Sequence, residues 1–280
     1  MQIVETVPEM KQLAAAWRAE KRRIALAPTM GGLHAGQAAL IRAAAAQADV
    51  VVVATFLNPL QFAPSELMAN YPQDVAADRK LCEAAGATVV FAPAGDAIYP
   101  AGYSTYVAEE TLAKPLCGVS RPAHFRGVTT LTAKLLNVVR PDTIYFGQKT
   151  AQRAAVVRKM IRDLAFDAEV VVVPTVRDPD GLACLLSNRD FTTSQRQEAL
   201  SLYRALTKAK EMAAAGVRSP DRLIAEATHI LGEQRRVRVI YISIVHPVTM
   251  EPVREVTPGE CQMVISAWID ETRLIDNMML

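Results

Sequence analysis

No stretch of this 280-residue chain is apolar for long without interruption, whereas a helix crossing a bilayer needs about 18 or more such residues. The first residues, Met1-Gln2-Ile3-Val4-Glu5, show no basic segment followed by an apolar core, so no secretory leader is expected. Cysteine is scarce and scattered. Cys82, Cys117, Cys184 and Cys261 never form a CxxC pair, which gives no support to a zinc ribbon or a disulfide framework and fits a reducing compartment. An excess of one charge is also lacking, since 31 Lys and Arg face 29 Asp and Glu for a net +2 with no long basic block. Nucleic acid and anionic membrane are therefore not expected as main partners. These absences together predict a cytoplasmic protein with no metal site of its own.

What is present is ordinary globular composition, 51% hydrophobic and 21% charged, in a length that suits one large domain or two modest ones. Ile24 to Ala27 and Val50 to Phe56 are apolar throughout, with an Ala-rich helical stretch from Gly36 to Ala48 between them. Unbroken apolar runs of that kind are expected of strands covered on both faces. The alternation continues through a helix at 74–85, a strand at 88–92, a helix at 128–139, a strand at 143–146, a helix at 151–164 and a strand at 169–173. This predicts an α/β fold with a Rossmann-like doubly wound parallel sheet, whose loops at the strand ends are where ligands bind. Asp178-Pro179-Asp180-Gly181 is concentrated turn chemistry. The boundary is placed there, giving a nucleotide-binding domain over 1–176 and a smaller α+β lid domain over 177–280, with helices near 193–215 and 220–231 and strands near 237–245 and 262–269.

The segment most suggestive of chemistry is Pro28-Thr29-Met30-Gly31-Gly32-Leu33-His34-Ala35-Gly36-Gln37, between the first strand and the first crossover helix. It matches neither GxGxxG nor GxxxxGK[ST], so the dinucleotide fingerprint and the P-loop both lose support. It places a histidine in a glycine-bracketed loop at a helix start, where free backbone N–H groups and the helix dipole favour a phosphate. The plain alternative for His34 alone is a turn or capping residue.

The same segment resembles the HxGH signature of a nucleotidyltransferase superfamily and, more narrowly, the PTMGxLHxGH box of the pantothenate synthetase (pantoate–β-alanine ligase) family. Further boxes follow in the family order: Asn58-Pro59-Leu60-Gln61-Phe62, Tyr71-Pro72 with Asp78, Arg121 to Val128, Phe146-Gly147-Gln148-Lys149 and Thr272 to Asn277. The resemblance implies an AMP-forming ligase that uses ATP, with Mg²⁺ as MgATP, to join a small carboxylic acid to an amine through an acyl-adenylate. It also implies a homodimer. Pantoate and β-alanine are the default pair. By the same resemblance His34, Gln37 and Lys149 are the catalytic candidates. Pro28, Thr29, Met30, Gly31, Gly36, Gly147, Lys149, Thr150, Val176, Ser187 and Arg189 would contact the nucleotide, the Gly31-Gly32 backbone lining the phosphates. Gln61, Asn58, Gln152, Arg153, Arg121 and His124 would hold the acid.

Several departures fall on those positions. Gln37 stands in place of the second histidine of HxGH, and an amide carries no proton to give. Cys117, Gln148 and Thr150 replace three family carboxylates, and Arg153 replaces a glutamine expected to contact pantoate. The neighbourhood thereby gains about four units of positive charge. Arg153 offers a planar fork suited to a carboxylate or phosphate, which predicts a more anionic acid; the alternative is that Arg153 faces solvent or pairs with Asp142. The stretch Ala183 to Asn188 lacks both serines and the arginine of the family's AMSSRN loop, unless the loop slides so that Ser187 and Arg189 serve instead. Two other readings follow: a non-catalytic paralogue that binds a nucleotide or acid, and a nucleotidyltransferase of the same superfamily.

Overall fold

The structure is a computed structural model describing residues 1–62, 68 and 71–280. Among these, strands β1 (Gln2–Val4), β2 (Ile24–Thr29), β3 (Val50–Thr55), β4 (Val89–Phe91), β5 (Thr143–Gly147) and β6 (Glu169–Val173) form one six-stranded sheet in the order β1-β4-β3-β2-β5-β6. Every neighbouring pair is parallel. The unbroken apolar runs are explained by layering. Ile24, Leu26, Val50 and Val52 point into one core, with α1 (Val7–Ala19), α6 (His124–Val139) and α7 (Ala151–Asp163). Their alternates Ala25, Ala27, Val51 and Val53 point into a second core, with α2 (Ala35–Ala45) and α3 (Val75–Ala85). Successive side chains on a strand point to opposite faces, so both sets must be apolar. Short helices α4 (Gly95–Ile98) and α5 (Cys117–Ser120) lie in the long β4-to-α6 connection.

The remaining strands, β7 (Val237–Val245), β8 (Gln262–Ile269) and β9 (Thr272–Met279), form an antiparallel sheet in that order. One face packs on α8 (Thr193–Ala214) and α9 (Pro220–Gly232) in a third core. Tyr241, Val245 and Val264 from the other face join the core beneath α6 and α7. The small sheet is thus wedged between its own helices and the large sheet's helices, which brings its ends beside β5.

Differences from the sequence reading have local causes. β1 and α1 precede the first strand anticipated, and their signals were a capping Thr6, which accepts from the Glu9 N–H at 3.3 Å, and Pro8 in the first turn. α6 starts at His124 rather than near 128, running through Gly127. The C-terminal TRLIDN box, read only as a motif, is part of β9.

One feature of the topology positions the site. β2 lies between β3 and β5, and the chain leaves β2 toward β3 but leaves β5 toward β6. The reversal opens a crevice beyond the carboxyl ends of β2 and β5, where the loops after Thr29 and Gly147 face each other.

Candidate active site

A cleft of about 340 Å³ occupies this crevice, and its lining includes Pro28, Met30, His34, Gly36, Gln37, Tyr71, Arg121, His124, Gly147, Lys149, Thr150, Arg153, Val176 and Arg273. His34 is the N-cap of α2. Its Nδ1 accepts from the Gly36 N–H at 3.1 Å, so in the neutral ring Nε2 carries the proton and is a donor. A Cβ on Gly36 would lie 2.7 Å from the imidazole, so glycine there is what lets the ring fold over the helix start. Gln37 completes a capping box, its Oε1 accepting from the His34 N–H at 3.1 Å. Only its amide N–H groups remain for the cleft.

The loop before His34 is rigid for a related reason. The Gly32 and Leu33 N–H groups donate to the two oxygens of buried Asp78 at 2.8 and 2.7 Å. Gly32 has a φ of +63°, and a Cβ there would lie 2.7 Å from both Leu186 and the Pro72 carbonyl. Of the backbone amides expected to line the phosphates, that of Gly32 is therefore occupied by Asp78 and that of Gly36 by His34.

Lys149 also lines the cleft. It follows β5 in the short turn Gln148–Thr150, and Asn277 of β9 clamps that turn by donating to the Gln148 and Lys149 carbonyls at 2.8 and 3.2 Å. Gln148 donates both amide hydrogens, to Gln262 at 2.9 Å and to Asn277 at 3.0 Å. An amide here ties the turn to the small sheet, a bond that an ionised carboxylate could not donate. Among the described residues the Lys149 ammonium has no hydrogen bond or ion pair. Burial, and secondarily Arg153, lower its pKa, while Asp276 opposes them. Asp276 is itself gripped by Arg177 in a bidentate pair at 2.6 and 3.0 Å. His34 is held neutral, its pKa lowered to about 4 by burial first and then by Lys149 and Arg189.

The other end of the cleft centres on His124. Its Nδ1 faces the Gln61 carbonyl at 3.3 Å; a carbonyl only accepts, so Nδ1 carries the proton and Nε2 presents a lone pair. Its pKa is lowered to about 3, by burial first and then by Arg153 and Arg121, with Arg273 adding to the effect. Arg121 donates to the same Gln61 carbonyl at 3.2 Å. Arg273 donates to Ser266 at 3.2 Å and Ser120 at 3.1 Å and lies 3.6 Å from the Cys117 sulfur. Arg153 projects from α7 with its Nε enclosed and unbonded. Asp142, the acid weighed as its partner, is taken by Arg18 at 2.6 Å and by the Ile24 N–H at 2.7 Å.

Not every residue singled out from the sequence lines the cleft. Asn58 is fully buried, donating to the Gly127 carbonyl at 2.9 Å and accepting from Tyr99 at 3.1 Å. Gln152 ties α7 to the 112–117 loop through the Cys117 N–H and the Leu112 and Pro115 carbonyls. Gln61 is 7% exposed, with its Oε1 enclosed and unbonded. Thr29 bonds across to the Ala54 carbonyl at 3.3 Å, and Gly31 is buried. Ser187 and Arg189 lie in the turn Leu186–Asp190, outside the lining, although Arg189 is near enough to depress His34. Cys184 does line the cleft, but burial and Asp178, to which it donates at 3.0 Å, push its thiol up to about 11. It is no nucleophile at neutral pH. Arg273 and Asp78 were within reach of sequence reasoning, since both sit in quoted boxes, but nothing in one dimension shows that one faces the cleft and the other pins its loop.

The parallel sheet, the switch-point cleft and the histidine-bearing loop at the start of α2 define a nucleotide-binding α/β protein of the HxGH kind, one half of whose signature is altered. The pantoate-beta-alanine ligase family model matches residues 2–279, and the chain belongs to that family. It is 44% identical over its full length to the pantothenate synthetases of Moorella thermoacetica and Thermotoga neapolitana, covering 99% and 100% of those proteins. Among solved structures, pantothenate synthetase from Thermus thermophilus matches all of this chain and 99% of its own, with a TM-score of 0.93 at 39% identity. The pantoate-beta-alanine ligase of Francisella tularensis, complexed with beta-gamma ATP and beta-alanine, matches all of this chain and 97% of its own, with a TM-score of 0.81 at 26% identity.

Proposed function

We propose that the cleft carries out AMP-forming ligation: a small carboxylic acid is activated by ATP and its acyl group passed to an amine, with pantoate and β-alanine as the family's default pair. A carboxylate oxygen bonds to the α-phosphorus, the bond to pyrophosphate breaks, and pyrophosphate leaves with the electron pair. The amine nitrogen then bonds to the acyl carbon, AMP departs with the carbon–oxygen pair, and the ammonium proton is lost. Holding two anionic reactants in line and meeting the charge on the phosphoryl oxygens is the main task. The observation that carries this reading is the Lys149 ammonium, unpaired among the described residues, beside a neutral His34 whose Nε2–H is free to donate. At the other end the Nε2 lone pair of His124 suits a hydrogen from the substrate hydroxyl or amine.

Magnesium belongs to the reading as part of MgATP. Asp276 is engaged by Arg177 and Asp78 by backbone amides, and among the described residues no cluster of three His, Cys, Asp or Glu side chains offers a seat. The ion is therefore assigned to phosphate oxygens and water, its usual company. Two copies per assembly and a cytoplasmic setting complete the proposal; the four cysteines are all free thiols, and among the described residues no helix is long and apolar enough to cross a membrane. Light scattering on the purified protein reads the assembly directly.

The test is pyrophosphate release from ATP with pantoate, followed by amide and AMP formation on adding β-alanine. Release that depends on an acid supports the reading. ATP binding without release for any acid defeats it in favour of a nucleotide-binding paralogue, the alternative that Gln37 favours because its amide has no proton to transfer.

A further inference from the structure

We infer that the acid activated here carries a second oxyanion, a carboxylate or phosphate beyond the reacting carboxyl, and that Arg153 is the residue that holds it. The inference rests on the ligase reading and extends it to the class of substrate.

The cations of the cleft fall into two groups. Lys149 and Arg189 act on His34, whereas Arg153, Arg121 and Arg273 act on His124. The first group stands at the His34 end and the second at the His124 end, and within the second Arg153 has no counterion among the described residues. Arg273 is held by two hydroxyls and a thiol, and Cys117 stands where the family pattern has a carboxylate. Arg121 reaches a backbone carbonyl. Arg153 has an enclosed Nε with no partner, and among the described residues its guanidinium makes no ion pair. The nearby carboxylates are committed elsewhere, Asp276 to Arg177, Asp142 to Arg18 and Asp78 to the Gly32 and Leu33 amides. Arg153 is half-buried, its Nε shut off and unbonded while the fork lines the cleft; a buried N–H left without a partner is unfavourable, so a site that keeps one is built for an anion that arrives from outside.

The reacting carboxylate cannot be that anion through the whole reaction. Its charge disappears when its oxygen bonds to phosphorus, and a bidentate grip would occupy the lone pairs that must attack. A second oxyanion keeps its charge through both steps. It leaves Arg153 paired in the free substrate complex and in the acyl-adenylate alike, and no bond to it forms or breaks.

Pyrophosphate release is measured with pantoate, with pantoate phosphorylated on its primary hydroxyl, and with the hydroxydicarboxylates malate and 2-hydroxyglutarate. At least one dianionic acid is expected to exceed pantoate in kcat/KM by about tenfold or more, since a buried polar group left unpaired penalises the analogue that lacks its partner. The phosphate and carboxylate arms tell the two oxyanions apart. Arg153→Gln should abolish the preference mainly through KM, and Arg153→Lys should restore part of it. Pantoate preferred over every dianion by the unaltered protein overturns the inference, as does a preference unchanged in Arg153→Gln. Titration calorimetry of the same acids separates this from the ligase reading. If no acid supports release but a dianion binds in an Arg153-dependent manner, the oxyanion seat stands and the ligase reading falls. If no dianion binds, the inference falls.

Discussion

The two ends of the cleft solve opposite problems with the same residue types. At the His34 end the imidazole is turned by the Gly36 N–H so that it donates, a lone ammonium stands beside it, and the loop amides are tied down by Asp78. At the His124 end the ring is turned by the Gln61 carbonyl so that it accepts, and guanidinium groups surround it. Both histidines are kept neutral by burial and by cations, yet one offers a proton and the other a lone pair. A histidine's role here is set by which backbone group holds its inner nitrogen. The sequence departures divide the same way: Gln37 puts a neutral amide at the donor end, while Cys117 and Arg153 add net positive charge at the acceptor end.

That contrast is most easily broken at Lys149. Lys149→Ala should lower kcat/KM for pyrophosphate release by about 10²–10³-fold, the usual cost of removing one charge-stabilising donor, and should do so for every acid alike. A loss confined to one acid would move Lys149 to the substrate end. Next in size is a matched pair of stability variants read by urea unfolding. Asp78→Ala leaves two buried N–H groups without an acceptor and should cost about 2–5 kcal/mol. Gln152→Ala, which holds the 112–117 loop near the opposite end, should cost about 1–3 kcal/mol. Equal costs would mean that the two ends are equally braced.

Gln37→His tests the donor end. A charge-assisted bond in place of a neutral one should raise adenylation about tenfold when phosphates offset the local cations. The gain should grow as pH falls toward 6, and losing the Gln37 arm of the capping box should lower the melting temperature slightly. No gain at any pH would mean that the pocket has been remodelled around the amide.

The smallest effect is on stability against pH. Folded His34 and His124 titrate near 4 and 3, below the ordinary value of about 6.5. Between those values and about 6.5 the unfolded chain binds protons that the folded chain does not, so stability is complete above that window and falls as pH drops through it. ATP should flatten the decline, because its phosphates offset the cations that act on His34. Melting temperature followed from pH 7 to 4 with and without ATP reads both slopes, and parallel curves would count against phosphate contact at His34.

Much of the large sheet was readable because its strands are apolar on every residue and its helices are Ala-rich, and such patterns depend on neighbours in the chain. β1, α1 and β9 lack that pattern: β1 is three residues long, α1 interleaves polar positions, and β9 coincides with the TRLIDN box. Among the site candidates, His34, Lys149, Arg121, His124 and Arg153 converge on one cleft, while Asn58 and Gln152 spend their side-chain bonds on the scaffold. Polar residues of both kinds look alike in a sequence. Whether an amide meets a ligand or a backbone carbonyl depends on what lies across from it.

By itself the sequence determined the layer architecture, the family and the identity of the altered positions, because hydrophobic period and motif order are properties of the chain read in one direction. Only the tertiary structure decided that Asp78 consumes the Gly32 and Leu33 amides, that Asp142 is already taken, and that the Arg153 Nε is buried with no partner among the described residues. Those outcomes depend on contacts between residues up to 124 positions apart, as in the pair of Arg18 with Asp142, and a charge has no partner until folding chooses its neighbours.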